Sequence, residues 1–160
     1  MIGIMSDSHD NCDALKKAVS FFNDTKCDLV IHAGDFIAPF AAKILGDLNC
    51  SVKAVFGNCD GEKKGLRKAF KSFGTIREEP LQFSFKGMRF LVTHTHFRVS
   101  DYRATGNHDV IVYGHTHRPK IIKNSQTLII NPGEVGGWLT GKQSVALLSL
   151  IELSAEIVNL

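Results

Sequence analysis

Ile2-Gly3-Ile4-Met5-Ser6-Asp7-Ser8-His9 decides how the rest of the chain is read. The apolar run Ile2–Met5 has the composition of a buried strand. It breaks at once into a polar tetrad carrying a carboxylate and an imidazole one residue apart. The same event recurs along the chain. Val30-Ile31 runs into His32-Ala33-Gly34-Asp35, and Val55-Phe56 runs into Gly57-Asn58-Cys59-Asp60. Further on, Val92-Thr93 leads to His94-Thr95-His96, and Val112-Tyr113 leads to Gly114-His115-Thr116-His117.

Between the first three strands lie amphipathic stretches. Asp13–Asn23 is expected as a helix burying Leu15, Val19 and Phe22, Pro39–Leu48 as a second, and Lys63–Phe73 as a third. Pro39 suits a first helical turn, where its missing N–H is not needed. The strands themselves are expected at Ile2–Met5, Asp28–His32 and Val52–Phe56. Strand–helix alternation implies parallel strands joined by right-handed crossovers. In such sheets ligands gather at the carboxyl edge, so three consecutive strands deliver Asp7, His9, Asp35 and Asn58 to one edge.

The second half changes to hairpins. Leu81–Phe85 and Arg89–Thr93 flank Lys86-Gly87, Lys120–Lys123 and Thr127–Ile130 flank Asn124-Ser125, and Ser144–Ile151 and Ala155–Leu160 form a third pair. A short helix near Val99–Thr105 precedes a strand at Val110–Tyr113, and Asn131-Pro132-Gly133 is expected as a tight turn. The implied α/β architecture is two packed sheets with helices outside, in one domain spanning 1–160.

Composition narrows the class. A hydrophobic fraction of 44% and a charged fraction of 22% are those of an ordinary globular protein. The net charge of +3 carries no strong preference for a polyanion. The densest basic stretch, Lys63, Lys64, Arg67, Lys68 and Lys71, reads as a solvated helix face. Cys12, Cys27, Cys50 and Cys59 have no zinc-knuckle or redox spacing, and no apolar run approaches a membrane span. A reduced, cytoplasmic setting is the resulting expectation, with the oligomeric state open.

Carboxylates and imidazoles suit borderline divalent ions such as Mn²⁺, Fe²⁺, Ni²⁺ or Zn²⁺. Asp7 and His9 can face one ion from a turn, and Asp35 has two oxygens with which to bridge two ions. Asn58 offers a neutral oxygen, and His115 and His117 can serve different ions. Any one of these pairs alone is an ordinary turn; their conjunction at five strand ends is not.

The series Asp7-x-His9, Gly34-Asp35, Gly57-Asn58-x-Asp60, Thr93-His94 and Gly114-His115-Thr116-His117 resembles the calcineurin-like metallophosphoesterases. The short chain and Asn131-Pro132-Gly133 are similar to their small phosphodiesterase subfamily. The resemblance implies a four-layer α/β/β/α sandwich with two mixed sheets and two divalent metal ions, Mn²⁺ foremost. It implies that Asp7, His9, Asp35 and His117 hold one ion and that Asp35, Asn58, His94 and His115 hold the other. It further implies hydrolysis of a small phosphate ester, a diester before a monoester, by a hydroxide shared between the metals.

Two positions depart from the family pattern. Cys59 stands where many members carry a His that protonates the leaving group, and a thiol is a poor substitute for an imidazolium. Thr95 stands where a Gly commonly follows the ligand His, which stiffens the loop and re-aims His96. Cys59 and His96 are thus the candidate catalytic side chains beside the metal cage. Gly106-Asn107-His108-Asp109 spells the family motif but precedes a strand, so it belongs at the opposite edge. Arg98 and Arg118 follow the histidine motifs and are candidates for holding phosphate. Other readings are a protein-binding scaffold, as in a retromer subunit of this fold, and a DNA nuclease. The intact donor set weighs against the first and the lack of a basic groove against the second, so nucleic acid is not the favoured partner.

Overall fold

A computed structural model describes residues 1–124 and 127–160. Among the described residues, eleven strands form two sheets. The first has six strands in the order β11-β10-β1-β2-β3-β4: β1 is Ile2–Met5, β2 Leu29–His32, β3 Ser51–Val55, β4 Gly74–Arg77, β10 Ser144–Ser149 and β11 Ser154–Asn159. The second has five in the order β5-β6-β7-β9-β8: β5 is Leu81–Phe85, β6 Met88–Val92, β7 Val110–Val112, β8 Lys120–Lys123 and β9 Leu128–Asn131. Strands β1 to β4 pair in parallel, as do β6, β7 and β9, while the hairpins β5–β6, β8–β9 and β10–β11 and the long-range pair β1–β10 are antiparallel.

Side-chain alternation sorts each strand between two cores. Ile2, Ile4, Leu29 and Ile31 point between the sheets against Phe90, Val92, Val110, Val112 and Ile130. Met5, Val30, Val52 and Ala54 point the other way, onto α1 (Cys12–Asp24) and α3 (Lys63–Phe70). Gly3 shares that face because the ring of Phe22 lies where a Cβ would sit, at 2.7 Å. Leu15, Val19 and Phe22 are buried as expected, each contributing about 1.5–3 kcal/mol by leaving water. On the far side, Leu91, Ile111 and Ile129 pack under Val99 and Tyr102 of α4 (Val99–Ala104). The layers therefore run α/β/β/α, two mixed sheets inside helices.

Some boundaries differ from expectation. The helix expected over Pro39–Leu48 is α2 (Pro39–Ala42) followed by a 3₁₀ turn, Lys43–Asp47, in which Leu48 N–H donates to Leu45 O at 3.2 Å. Gly46 in that stretch has weak helix propensity, so the tighter turn wins. Helix α3 stops at Phe70 rather than Phe73, because the Phe73 carbonyl already accepts Val52 N–H at 3.1 Å as the chain enters β4. Strand β4 itself was not anticipated: it is an edge strand with only Ile76 buried. The Lys86-Gly87 turn has φ 47° and 81°, a two-residue hairpin loop. Strands β8 and β9 pair as expected, while Ser125 of their connection lies outside the described residues. No helix among the described residues is long and apolar enough to cross a membrane.

Candidate metal centre

All five ligand-bearing segments leave the carboxyl ends of their strands. Asp7 and His9 follow β1, Asp35 follows β2, Asn58 follows β3, His94 follows β6, and His115 and His117 follow β7. The turns are sharp. Asp7, His9, Asp35, His115 and His117 have φ of 53°, 42°, 63°, 67° and 57°, in the left-handed region that costs a non-glycine residue of order 1 kcal/mol or more. Hydrogen bonds between loops hold this backbone. Asp7 N–H donates to Gly34 O at 2.9 Å, His9 N–H to Asp35 O at 3.1 Å, and His115 N–H to the Asp7 carboxylate at 3.1 Å. Gly57 is obligatory for a different reason: a Cβ there would run into the Asp35 carboxylate and its backbone nitrogen.

The donor atoms fall into two overlapping sets. His9 Nε2 lies 4.0 Å from Asp7 Oδ1 and 3.6 Å from Asp35 Oδ2, and His117 Nε2 lies 3.5 Å from Asp7 Oδ1. On the other side, His94 Nε2 lies 3.3 Å from Asp35 Oδ2 and 2.8 Å from Asn58 Oδ1, and His115 Nδ1 lies 2.9 Å from Asn58 Oδ1. Asp35 belongs to both sets. The groups Asp7–His9–His117, His9–Asp35–Cys59 and Asp7–Asp35–His94 are each tight enough to hold one ion, with donor atoms within 4.8 Å of one another.

The donors fit cations. His9 Nε2 is buried without a hydrogen-bond partner, at separations from two carboxylates that are too long for hydrogen bonds but suit ligands facing one ion. His94 Nδ1 faces the carbonyl of Ala33 at 2.8 Å and must donate to it. Its Nε2 then faces Asn58 Oδ1 and Asp35 Oδ2, two acceptors that call for a proton or a cation among them.

The two carboxylates are driven apart. Burial raises the Asp7 carboxyl above its usual range, although Ser6, His94 and His117 pull the other way. Burial also opposes ionisation of Asp35, but there the hydrogen bond and charge of His94, helped by Cys59 N–H and His9, win and bring it down to about 2. His94 is raised correspondingly: burial lowers it, and Asp35 outweighs burial. His115 is lowered by burial and by His94. Burial and the charge of Asp35 push the Cys59 thiol up to about 11.

Three supporting carboxylates have no role of their own in the sequence reading. Asp60, counted only as a motif letter, accepts N–H bonds from Phe36, Ile37 and Gly57 at 2.7–2.8 Å and from Asp35 at 3.1 Å, tying two ligand loops together. Glu134, in the loop after β9, accepts from His117 Nδ1 at 2.8 Å and from the backbone N–H groups of Trp138, Leu139 and Thr140. Glu79 accepts from the backbone N–H groups of His94 and Thr95 and from the hydroxyls of Thr93 and Thr95. A lone glutamate in a Gly-rich loop, Glu134-Val135-Gly136-Gly137, was the one available clue to the second.

Thr95 is therefore anchored at both its N–H and its hydroxyl. His96 beyond it is exposed, tilted against Phe97 with ring centroids 4.3 Å apart and stacked on His115 at 5.8 Å, and it does not line the cleft. The cleft measures ≈ 530 Å³ and is bounded by His9, Asp35, Asn58, Cys59, His115, His117, Ile37, Trp138 and Leu139. Arg98 and Arg118 are exposed and outside it. Gly106–Asp109 sits at the far edge, where Asp109 pairs with Arg89 at 2.7 Å. Asn131 does close a turn, accepting Gly133 N–H at 2.9 Å, and its Nδ2 also donates to Gly114 O at 3.0 Å beneath the histidine loop.

The model of the calcineurin-like phosphoesterase superfamily domain matches residues 1–152. The phosphodiesterase MJ0936 of Methanocaldococcus jannaschii is 37% identical over 151 residues, which span 92% of this chain and 91% of that protein. Phosphodiesterase YfcE of Escherichia coli K12 is 28% identical over 144 residues, 81% of this chain and 76% of that protein. A solved structure described as a novel archaeal phosphodiesterase superposes with a TM-score of 0.92 at 34% identity, covering 99% of both chains. The chain belongs to the calcineurin-like phosphoesterase superfamily, as its motif series implies.

Proposed function

We propose that this chain is a metal-dependent phosphodiesterase with a binuclear centre. The observation that carries this reading is the Asp35 carboxylate shared by two donor sets. Asp7, His9, Asp35 and His117 would hold one ion, and Asp35, Asn58, His94 and His115 the other. Mn²⁺ leads, with Ni²⁺, Fe²⁺ and Zn²⁺ suited to the same donors. When bound, such a pair polarises phosphoryl oxygens and makes a water nucleophilic at neutral pH.

The chain's own groups prepare the site. Glu134 and the Ala33 carbonyl fix the His117 and His94 rings, each presenting Nε2 inward. The loop backbones are set before substrate arrives, so orientation is not lost to motion. No Lys or Arg lines the cleft, which leaves the second charge of a phosphomonoester unmatched and favours a diester. Cys59, whose thiol holds its proton to about 11, is a weak acid, so esters whose alcohol leaves as a stable anion are turned over best. The reading takes 1–160 as one domain acting on a small ester, without nucleic acid.

Chelation followed by reconstitution tests it. Activity on bis(4-nitrophenyl) phosphate should vanish with the metal and return with Mn²⁺ at about two ions per chain. Turnover should exceed that of 4-nitrophenyl phosphate, and DNA should remain intact. Full metal uptake without turnover of any ester would instead favour a binding scaffold.

A further inference from the structure

Among the described residues, the exposed large hydrophobic side chains are Met1, Ile37, Phe40, Phe97, Trp138, Leu139 and Ile151. All but Met1 and Ile151 sit on segments that leave the carboxyl edge beside the candidate ligands. Apolar groups gathered at one place on a surface mark a binding site. Ile37, Trp138 and Leu139 line the cleft itself.

Two of these side chains are held in place by their backbone and by hydrogen bonds. Ile37 has φ 80°, a conformation in which a β-branched side chain crowds its own backbone, and Asp60 keeps it there by accepting its N–H at 2.8 Å. Trp138 is 64% exposed, yet its indole is not free to swing. Its Nε1–H donates to the backbone carbonyl of His9 at 3.1 Å, and its own N–H donates to Glu134 at 3.1 Å. The ring face is thereby fixed next to a candidate ligand. The wall carries no cation, so it offers nothing to a second phosphate charge.

We infer that Ile37 and Trp138 form the seat for a flat aromatic substituent of the diester and set the specificity of the site. The inference rests on the phosphodiesterase reading and names the class of substrate within it. A pinned indole stacks on a flat ring without first losing its own freedom, and such stacking is worth about tenfold in affinity.

Diphenylphosphinate and dimethylphosphinate test the seat: both are monoanions with two phosphoryl oxygens and no ester bond to break. Each is titrated into the Mn²⁺-loaded protein, reading inhibition of bis(4-nitrophenyl) phosphate hydrolysis and tryptophan emission. Trp138 is the only tryptophan of the chain, so the emission reports on this wall alone. Diphenylphosphinate should shift the emission saturably and inhibit at least about tenfold better than dimethylphosphinate. In Trp138→Ala and Ile37→Gly that preference should fall to about threefold or less, whereas Trp138→Phe should keep most of it. Ile37→Gly remains folded, since glycine adopts φ 80° freely. A nucleoside 5′-methylphosphonate in the same titration separates a ring on phosphorus from a nucleobase held further away; tighter binding of either ring supports the seat. Equal inhibition by all three with silent emission, in a protein that still hydrolyses the diester, overturns the seat and leaves the phosphodiesterase reading intact. Absence of both hydrolysis and binding overturns both.

Discussion

The chain spells Gly-Asn-x-Asp twice, at Gly57–Asp60 and at Gly106–Asp109, and the fold sends the two copies to opposite edges. The first follows β3. Its Asn58 meets two imidazoles, and its Asp60 gathers backbone N–H groups from two ligand loops. The second precedes β7. Its Asp109 accepts from the backbone and guanidinium of Arg89 at 2.8 and 2.7 Å, and its His108 ring faces Gln82 at 3.2 Å. The second copy even has the histidine that the first lacks. Strand polarity, more than residue identity, separates a candidate metal cage from a surface turn, because the carboxyl ends of these strands open onto the shared cleft.

The widest gap between the copies should appear on removing a carboxylate. Asp35→Ala at the carboxyl edge should lose about 10³-fold or more in turnover together with its metal, whereas Asp109→Ala should change turnover by less than about twofold. Metal analysis beside steady-state rates reads both, and retained hydrolysis in metal-free Asp35→Ala protein would sink the mechanism. A smaller effect is expected from moving the missing letter: Cys59→His should raise turnover of diesters with poor leaving groups by about 10²-fold. The rate for bis(4-nitrophenyl) phosphate should change far less, and a plot of log kcat against leaving-group pKa should flatten. An unchanged slope would remove position 59 from proton transfer.

Glu134→Gln should weaken metal binding by about tenfold, since a neutral amide supports His117 less well than a carboxylate. Competition with a chromophoric chelator measures this, and unaltered affinity would demote Glu134 to a loop anchor. The smallest effect belongs to the far edge. Asp109→Ala breaks a partly exposed pair and should lower stability by about 0.5–1 kcal/mol, read in urea unfolding.

The strand ends were legible because two signals coincide there: an apolar run that must be buried, and a polar residue directly after it that burial alone would not choose. The same logic assigned Gly106–Asp109 to the other edge. Strand β4 escaped because Gly74–Arg77 shows one buried residue, Ile76, and hence no alternation. Glu134, Glu79 and the organising role of Asp60 escaped for a deeper reason. They act by collecting backbone N–H groups, Asp60 and Glu79 from segments distant in the chain and Glu134 from the loop just after it, and backbone donors leave no trace in residue identity. The pinning of Trp138 is of the same kind, resting on the carbonyl of His9.

Glu134 joins two properties that an evolving enzyme would gain from changing separately. One of its carboxylate oxygens steadies the imidazole of His117, and the same carboxylate collects the backbone of residues 138–140, which carry the apolar wall. Re-routing that loop to admit a new substrate would slacken the ring of this candidate metal ligand. Selection on substrate range is thus confined to exchanging side chains at positions such as 37, 138 and 139 while the loop's path stays put. Diversification of this site would proceed by repainting the wall rather than by moving it.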